Sequence, residues 1–289
     1  MKTTKLTFLA LMAAMTFTAC SNDYEQVFAY IPDEGEIVLQ MQHPGYQTRA
    51  TETAFEANDS IGVYVTAADA NLQLGGNEVN NELFTYNGTS WSSKRKVYWN
   101  EGKHNVYAYY PYTKQVDDVQ NYSFSVQEDQ STQWGYGYSD FLWAGAKDVA
   151  ASVTPVTMQF SHRLANVVIR LEKGDNFEGN IPDNAQVFIY STVTKATIDL
   201  STGDAAKDNY AGTGTIRCLK RANDEYEAIV VPQSITSRRP LVEVVIDNVS
   251  YLMEGKISYK PGYRHTLTVT LDKNPEKVKI EVGGEIVGW

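Results

Sequence analysis

Short apolar runs with a two-residue alternation recur along nearly the whole chain. No stretch of about 12 residues carries apolar positions at three-and-four spacing between helix caps. A chain patterned this way buries its core through sheets, because alternate side chains of a strand face opposite sides. One series comprises residues 61–65, 97–99, 106–110, 122–126 and 141–144. A second comprises 156–160, 164–171, 187–190, 196–200, 215–219, 226–231, 241–246, 265–271 and 278–282. Turns rich in Gly, Asn and Asp separate the runs at the spacing of β-sandwiches. The small residues AASVT before Pro155 mark a break between the series. The expected fold class is all-β, with tandem sandwich domains over residues 50–153 and 154–289.

Composition agrees with a folded chain. Of 289 residues, 43% are hydrophobic and 21% charged, enough apolar content for a buried core. Nineteen tyrosines, with abundant Val, Ile and Thr, favour strands. The formal charge of −10 lacks the basic surface a phosphate backbone requires, so nucleic acid is not an expected partner.

Residues 1–19 read as a secretory signal peptide. Lys2 and Lys5 precede an apolar stretch from Leu6 to Phe17 that is too short to cross a bilayer of ~30 Å. Thr18-Ala19-Cys20 places small residues directly before a cysteine, the lipobox pattern of bacterial lipoproteins, with Phe17 where Leu is usual. Cys20 is the expected lipidation site, leaving SNDYEQ as a polar tether and residues 20–49 as a lipidated propeptide anchored to the outer membrane. The other cysteine, Cys218, lies on a strand pattern and reads as a buried structural thiol.

Candidate chemistry is sparse. His162 interrupts a long strand pattern and reads as a strand-corner histidine bonded to backbone; His43, His104 and His265 are scattered. No nucleophile elbow, zincin, phosphate-loop or EF-hand pattern occurs, and Asp117-Asp118 and Glu128-Asp129 read as solvated turns. No enzyme activity, cofactor or metal site is expected. The glycine-spaced Trp134, Tyr136 and Tyr138 read as a loop that is a candidate ligand contact, whereas Tyr107 to Tyr110 read as a core strand.

Residues 33–50 carry the most mechanism. Ile37, Leu39 and Met41 alternate with Val38, Gln40 and Gln42, giving a strand with one strongly apolar face. Pro44-Gly45 and a polar linker containing Arg49 and Ala50 follow, a natural site for trypsin-like cleavage. At the carboxyl end Val278, Ile280 and Val282 alternate again, with Ile286 and Trp289 beyond Gly283-Gly284. This segment reads either as a strand donated to another subunit or as the closing strand of its own sandwich.

The lipobox, Thr48-Arg49-Ala50, FEANDSIGVY (55–64), Trp99 with YAYYP (107–111), FLWA (141–144) and VTMQFSHRLANVVI (156–169) together resemble the fimbrillin family of Bacteroidales. The resemblance spans essentially the whole chain. It implies two transthyretin-like sandwiches, no catalysis, export as a surface-exposed lipoprotein, and removal of the first strand by an arginine-specific protease at the position of Arg49. It further implies assembly into a fimbrium, where a related pilin subunit fills the vacated groove and the fibre serves adhesion. The alternative is an uncleaved monomeric surface lipoprotein that binds glycan or a host protein through residues 134–138.

Overall fold

A computed structural model of the chain describes residues 33–45 and 54–289, with backbone alone for 283–286. Residues Asp33–Trp289 form one compact unit. The first elements are β1 (Leu39–Gln42), β2 (Ser60–Ala67), β3 (Val79–Tyr86), β4 (Trp91–Ser93), β5 (Lys103–Tyr110) and β6 (Tyr122–Ser125). A short helix α1 (Gln133–Gly137) precedes β7 (Leu142–Ala150), β8 (Val156–Gln159) and β9 (Ser161–His162). The remainder comprises β10 (Ala165–Lys173), β11 (Gln186–Val193), β12 (Lys195–Asp199), β13 (Asp204–Lys207), β14 (Thr213–Arg217) and β15 (Leu219–Ala222). It continues with β16 (Glu225–Val230), β17 (Gln233–Ile246), β18 (Val249–Tyr259), β19 (Tyr263–Leu271) and β20 (Lys279–Gly288). The all-β expectation is borne out.

Two hydrophobic cores organise these strands. The smaller joins the sheet β4-β3-β2-β5-β7-β9 to the pair β1-β8, and contains Ile37, Leu39, Ile61, Val63, Val106, Met158 and Phe160. The larger lies among β15-β16-β10-β19-β20 and β14-β11-β17-β18, where Val167, Ile169, Ile189, Ala228, Val242, Val244 and Val269 are buried. A further sheet, β13-β12-β6, links the halves of the sequence through the antiparallel pairing of Lys195–Ile198 with Tyr122–Ser125. Although Pro155 suggested a break, β8 beyond it pairs in parallel with β1, and Met158 and Phe160 pack into the smaller core.

The sequence pattern missed five strands, β3, β4, β9, β13 and β18. In β3, Asn80, Asn81 and Glu82 blur the alternation, and β4 is only three residues long. In β18, Glu254, Gly255 and Lys256 interrupt the apolar run, yet the strand is held in register with β17. Asp247 and Asn248, both at positive φ (48° and 65°), make the two-residue turn between them, a backbone handedness that short polar residues tolerate. Residues 97–99, read as a strand, instead form an isolated bridge between Glu36 and Tyr98.

Candidate functional site

The alternation in residues 37–41 places Ile37 and Leu39 inside, 4% and 6% exposed, and leaves Met41 half-buried against the same core. Backbone hydrogen bonds hold this segment on two sides. Val156 N donates to Val38 O and Phe160 N to Gln42 O, each at 2.9 Å; across from them Ile37 N donates to Val97 O and Trp99 N to Gly35 O, also at 2.9 Å. Charges reinforce the outer end, where Lys96 Nζ lies 2.8 Å from Asp33 and 3.2 Å from Glu36, and Tyr98 OH donates to Asp33 at 3.0 Å. The hydrogen bond from Lys96 holds the Asp33 carboxyl below its usual range. Cys20, Arg49 and Ala50 lie outside the described residues.

At the opposite end of the chain, β20 forms the edge of the five-stranded sheet, antiparallel to β19. Val278, Ile280 and Trp289 pack against the larger core, Val282 is 38% exposed, and Ile286 pairs with His265 through its backbone. Trp289 N donates to Gly262 O, and its indole stacks on the His162 ring.

Residues 133–137, read as part of a loop, form a helical turn. Thr132 caps it by accepting from Gly135 N at 3.1 Å, and Ser139 Oγ returns to Gly135 O at 2.8 Å. Gly135 is the residue the turn depends on, because a Cβ there would sit 2.2 Å from Asp129 O. The loop beneath is fixed to β16 by Gln130, whose amide both donates to Ile229 O and accepts from Ile229 N at 2.8 Å. Tyr136 points inward at 2% exposure, its hydroxyl accepting from Asn166 Nδ2 and its ring lying under the Arg221 guanidinium, so it belongs to the larger core and not to a ligand surface. Trp134 and Tyr138, four residues apart on the helical turn, share the other face and are 63% and 51% exposed. The glycine spacing hid this arrangement; the Trp-to-Tyr interval of four was the signal for it.

The exposed pair borders a cleft of about 380 Å³ that His43, Phe55, Glu56, Asp59, Tyr110 and Asp140 also line. His162 is bonded at Nδ1 to Asp140 Oδ1 at 3.0 Å, a carboxylate partner where the sequence suggested backbone. His43 packs edge-on against Phe55 and His162, and desolvation lowers its imidazole to about 4. Burial also raises the Asp59 carboxyl, against hydrogen bonds from Glu56 N and Tyr110 OH. Cys218 is buried, its backbone amide bonded to Val187 O, and desolvation drives its thiol far above the ordinary range. Among the described residues, no group of three or more His, Cys, Asp or Glu is placed to hold a metal ion.

A first strand packed into the core of the six-stranded sheet, and sheets throughout, define an all-β sandwich protein. A family model described as fimbrillin-like matches residues 48–289, and the chain belongs to that family as a structural subunit of a fimbrium. A protein of Bacteroides uniformis described as the fimbrium subunit Fim1C is 25% identical over 97% of this chain and 93% of its own length. A protein of Bacteroides ovatus described as the fimbrium tip subunit Fim1C is 30% identical over 59% of this chain, and the matched region spans 36% of that relative's length. The fold is shared with a crystal structure described as a cell adhesion protein of Bacteroides ovatus, with a TM-score of 0.70 at 21% identity, covering 88% of this chain and 96% of the other.

Proposed function

We propose that the chain reaches the outer membrane as a lipoprotein modified at Cys20, is cut after Arg49 so that Ala50 begins the mature subunit, and accepts another subunit's strand where residues 37–41 had been. The observation that supports this is the packing of Ile37 and Leu39 in the smaller core, on a segment bonded through its backbone to 97–99 and 156–160. Removing it exposes an apolar groove flanked by unpaired strand amides. An incoming strand with three similar side chains regains roughly 5 to 9 kcal/mol, at ~1.5 to 3 kcal/mol each, before ordering costs. The mature chain on this reading is a sandwich over 50–153 and another over 154–289, with β8 of the second reaching back into the first core.

The same reading gives β20 the closing role and not that of a donor. Its pairing with β19, and the packing of Val278, Ile280 and Trp289, support a tip or accessory position, since a subunit that keeps its own last strand can receive a neighbour but cannot extend the fibre beyond itself. Amino-terminal sequencing of the surface form tests the first step: an Ala50 start is expected, and a chain beginning at Cys20 would replace this model with an uncleaved monomeric lipoprotein. Immunogold labelling tests the second, with particles expected at fibre ends; regular labelling along the shaft would sink the closing role. The Arg49→Ala variant is expected to lack fibre incorporation.

A further inference from the structure

The cleft beside α1 has a chemical character that strand exchange does not require. Among the described residues, three carboxylates line it, those of Glu56, Asp59 and Asp140, and no Lys or Arg does. His43, with its imidazole lowered to about 4, is uncharged at neutral pH and offsets none of that charge. Asp140 is engaged by His162, and Asp59 by Tyr110 and the Glu56 amide, whereas the Glu56 carboxylate has no hydrogen-bond partner among the described residues.

Two large rings stand beside these carboxylates. Trp134 and Tyr138 have centroids 4.6 Å apart at an interplanar angle of 37°, and both are more than half exposed on a turn that Gly135, Thr132 and Ser139 hold in place. Core packing does not need them there, because Tyr136 alone anchors the turn inward. Exposed aromatic faces next to uncompensated negative charge attract a cation through both the ring quadrupole and the carboxylates. A cavity of about 380 Å³ is within the range of small-ligand sites, and admits a side chain more readily than a folded surface.

We propose that this cleft binds a cationic side chain, Lys or Arg, presented by a partner polypeptide. Glu56 and Asp59 supply the charge, and Trp134 and Tyr138 the stacking faces. Glu56, Asp59, Trp134 and Tyr138 all lie beyond Arg49, so cleavage there would take only His43 from the described lining, and the site can fail or stand separately from the proposed function.

The test uses the full chain with three Gly/Ser-flanked peptides that carry paired arginines, paired lysines or paired citrullines, with a neutral oligosaccharide as a further probe, and reads binding by calorimetry. Binding of the arginine or lysine peptide is expected, weakening several-fold as salt rises from roughly 50 to 300 mM. The citrulline peptide is expected not to bind. Trp134→Ala and Glu56→Gln, both at exposed positions, are each expected to weaken binding about fivefold. The preference between arginine and lysine identifies the side chain. Equal binding of the citrulline peptide, unchanged affinity in both variants, or binding of the neutral oligosaccharide alone would each overturn the proposal, the last in favour of a glycan platform.

Discussion

The indole of Trp289 lies 3.8 Å from the imidazole of His162, within 13° of parallel. His162 ends β9 in the sheet of the smaller core, and Trp289 follows β20 at the edge of the five-stranded sheet. This stack therefore fixes the end of the last strand to the sheet of the smaller core. We predict that Trp289→Ala destabilises the pairing of β20 with β19 by about 1 to 3 kcal/mol, the range for losing a stacked, half-buried ring. Hydrogen exchange of β19 and β20 amides measures it, and protection equal to that of the parent chain would show that the stack carries no load.

His43 gives the first segment a dependence on pH. Its folded imidazole is lowered from 6.5 to about 4 by desolvation; the facing Asp140 opposes that shift and His162 adds to it. A neutral group that must take up a proton on leaving the fold contributes stability above the unfolded value of 6.5. That contribution is lost as pH falls toward about 4. Glu56, Asp59 and Asp140 line the same cleft, and burial raises the Asp59 carboxyl. The melting-temperature difference between the parent chain and His43→Gln should accordingly shrink between pH 7 and 4.5. A difference independent of pH would remove His43 as the cause.

Leu39 tests how firmly the first strand is packed. It is 6% exposed in the smaller core and pairs opposite Val156. Leu39→Ala should cost about 2 to 5 kcal/mol, the usual range for emptying a buried leucine site. Gln40→Ala, on the exposed face of the same strand, should change stability by less than about 0.5 kcal/mol. Denaturant melts compare the two directly, and equal effects would contradict the assigned faces.

Ile37 to Met41 was legible because burial on one side leaves its imprint every second residue, whereas Ile61 to Val65 and Ala165 to Ile169, buried on both faces, were legible as short apolar runs. β18 was not, because exposed Leu252 and the Glu254-Gly255-Lys256 interruption mask the alternation of buried Tyr251, Met253, Ile257 and Tyr259, and its pairing with β17 across the Asp247-Asn248 turn is not a local pattern. The cleft was hidden for a different reason. Phe55, Tyr110, Trp134 and Asp140 are distant in sequence, and the turn that presents Trp134 depends on the close approach of Gly135 to the Asp129 carbonyl. A local pattern cannot register a contact of that kind.

Cys218 should behave as an inert thiol. It is 4% exposed, and burial alone drives its ionisation far above the ordinary range, which removes the thiolate that reacts. A disulfide reagent should leave it unlabelled in the native chain and modify it fully in denaturant. Rapid labelling under native conditions would mean that the β14–β15 junction opens far more readily than its packing indicates.

The two glycines of α1 give opposite expectations. At Gly135 an added Cβ would meet Asp129 O at 2.2 Å, and because both the carbonyl and the turn are backbone, neither can rotate away. Gly135→Ala should therefore destabilise the chain by about 1 to 3 kcal/mol, as overpacking does, and displace Trp134 from the cleft. At Gly137 nothing lies within 4 Å of the same added atom, and alanine restricts the unfolded backbone. Gly137→Ala should be neutral or stabilise by up to roughly 1 kcal/mol. Thermal melts give the two signs, and native tryptophan emission should shift for the first variant and not for the second. Equal behaviour of both variants would mean that the turn is not seated on the Asp129 carbonyl.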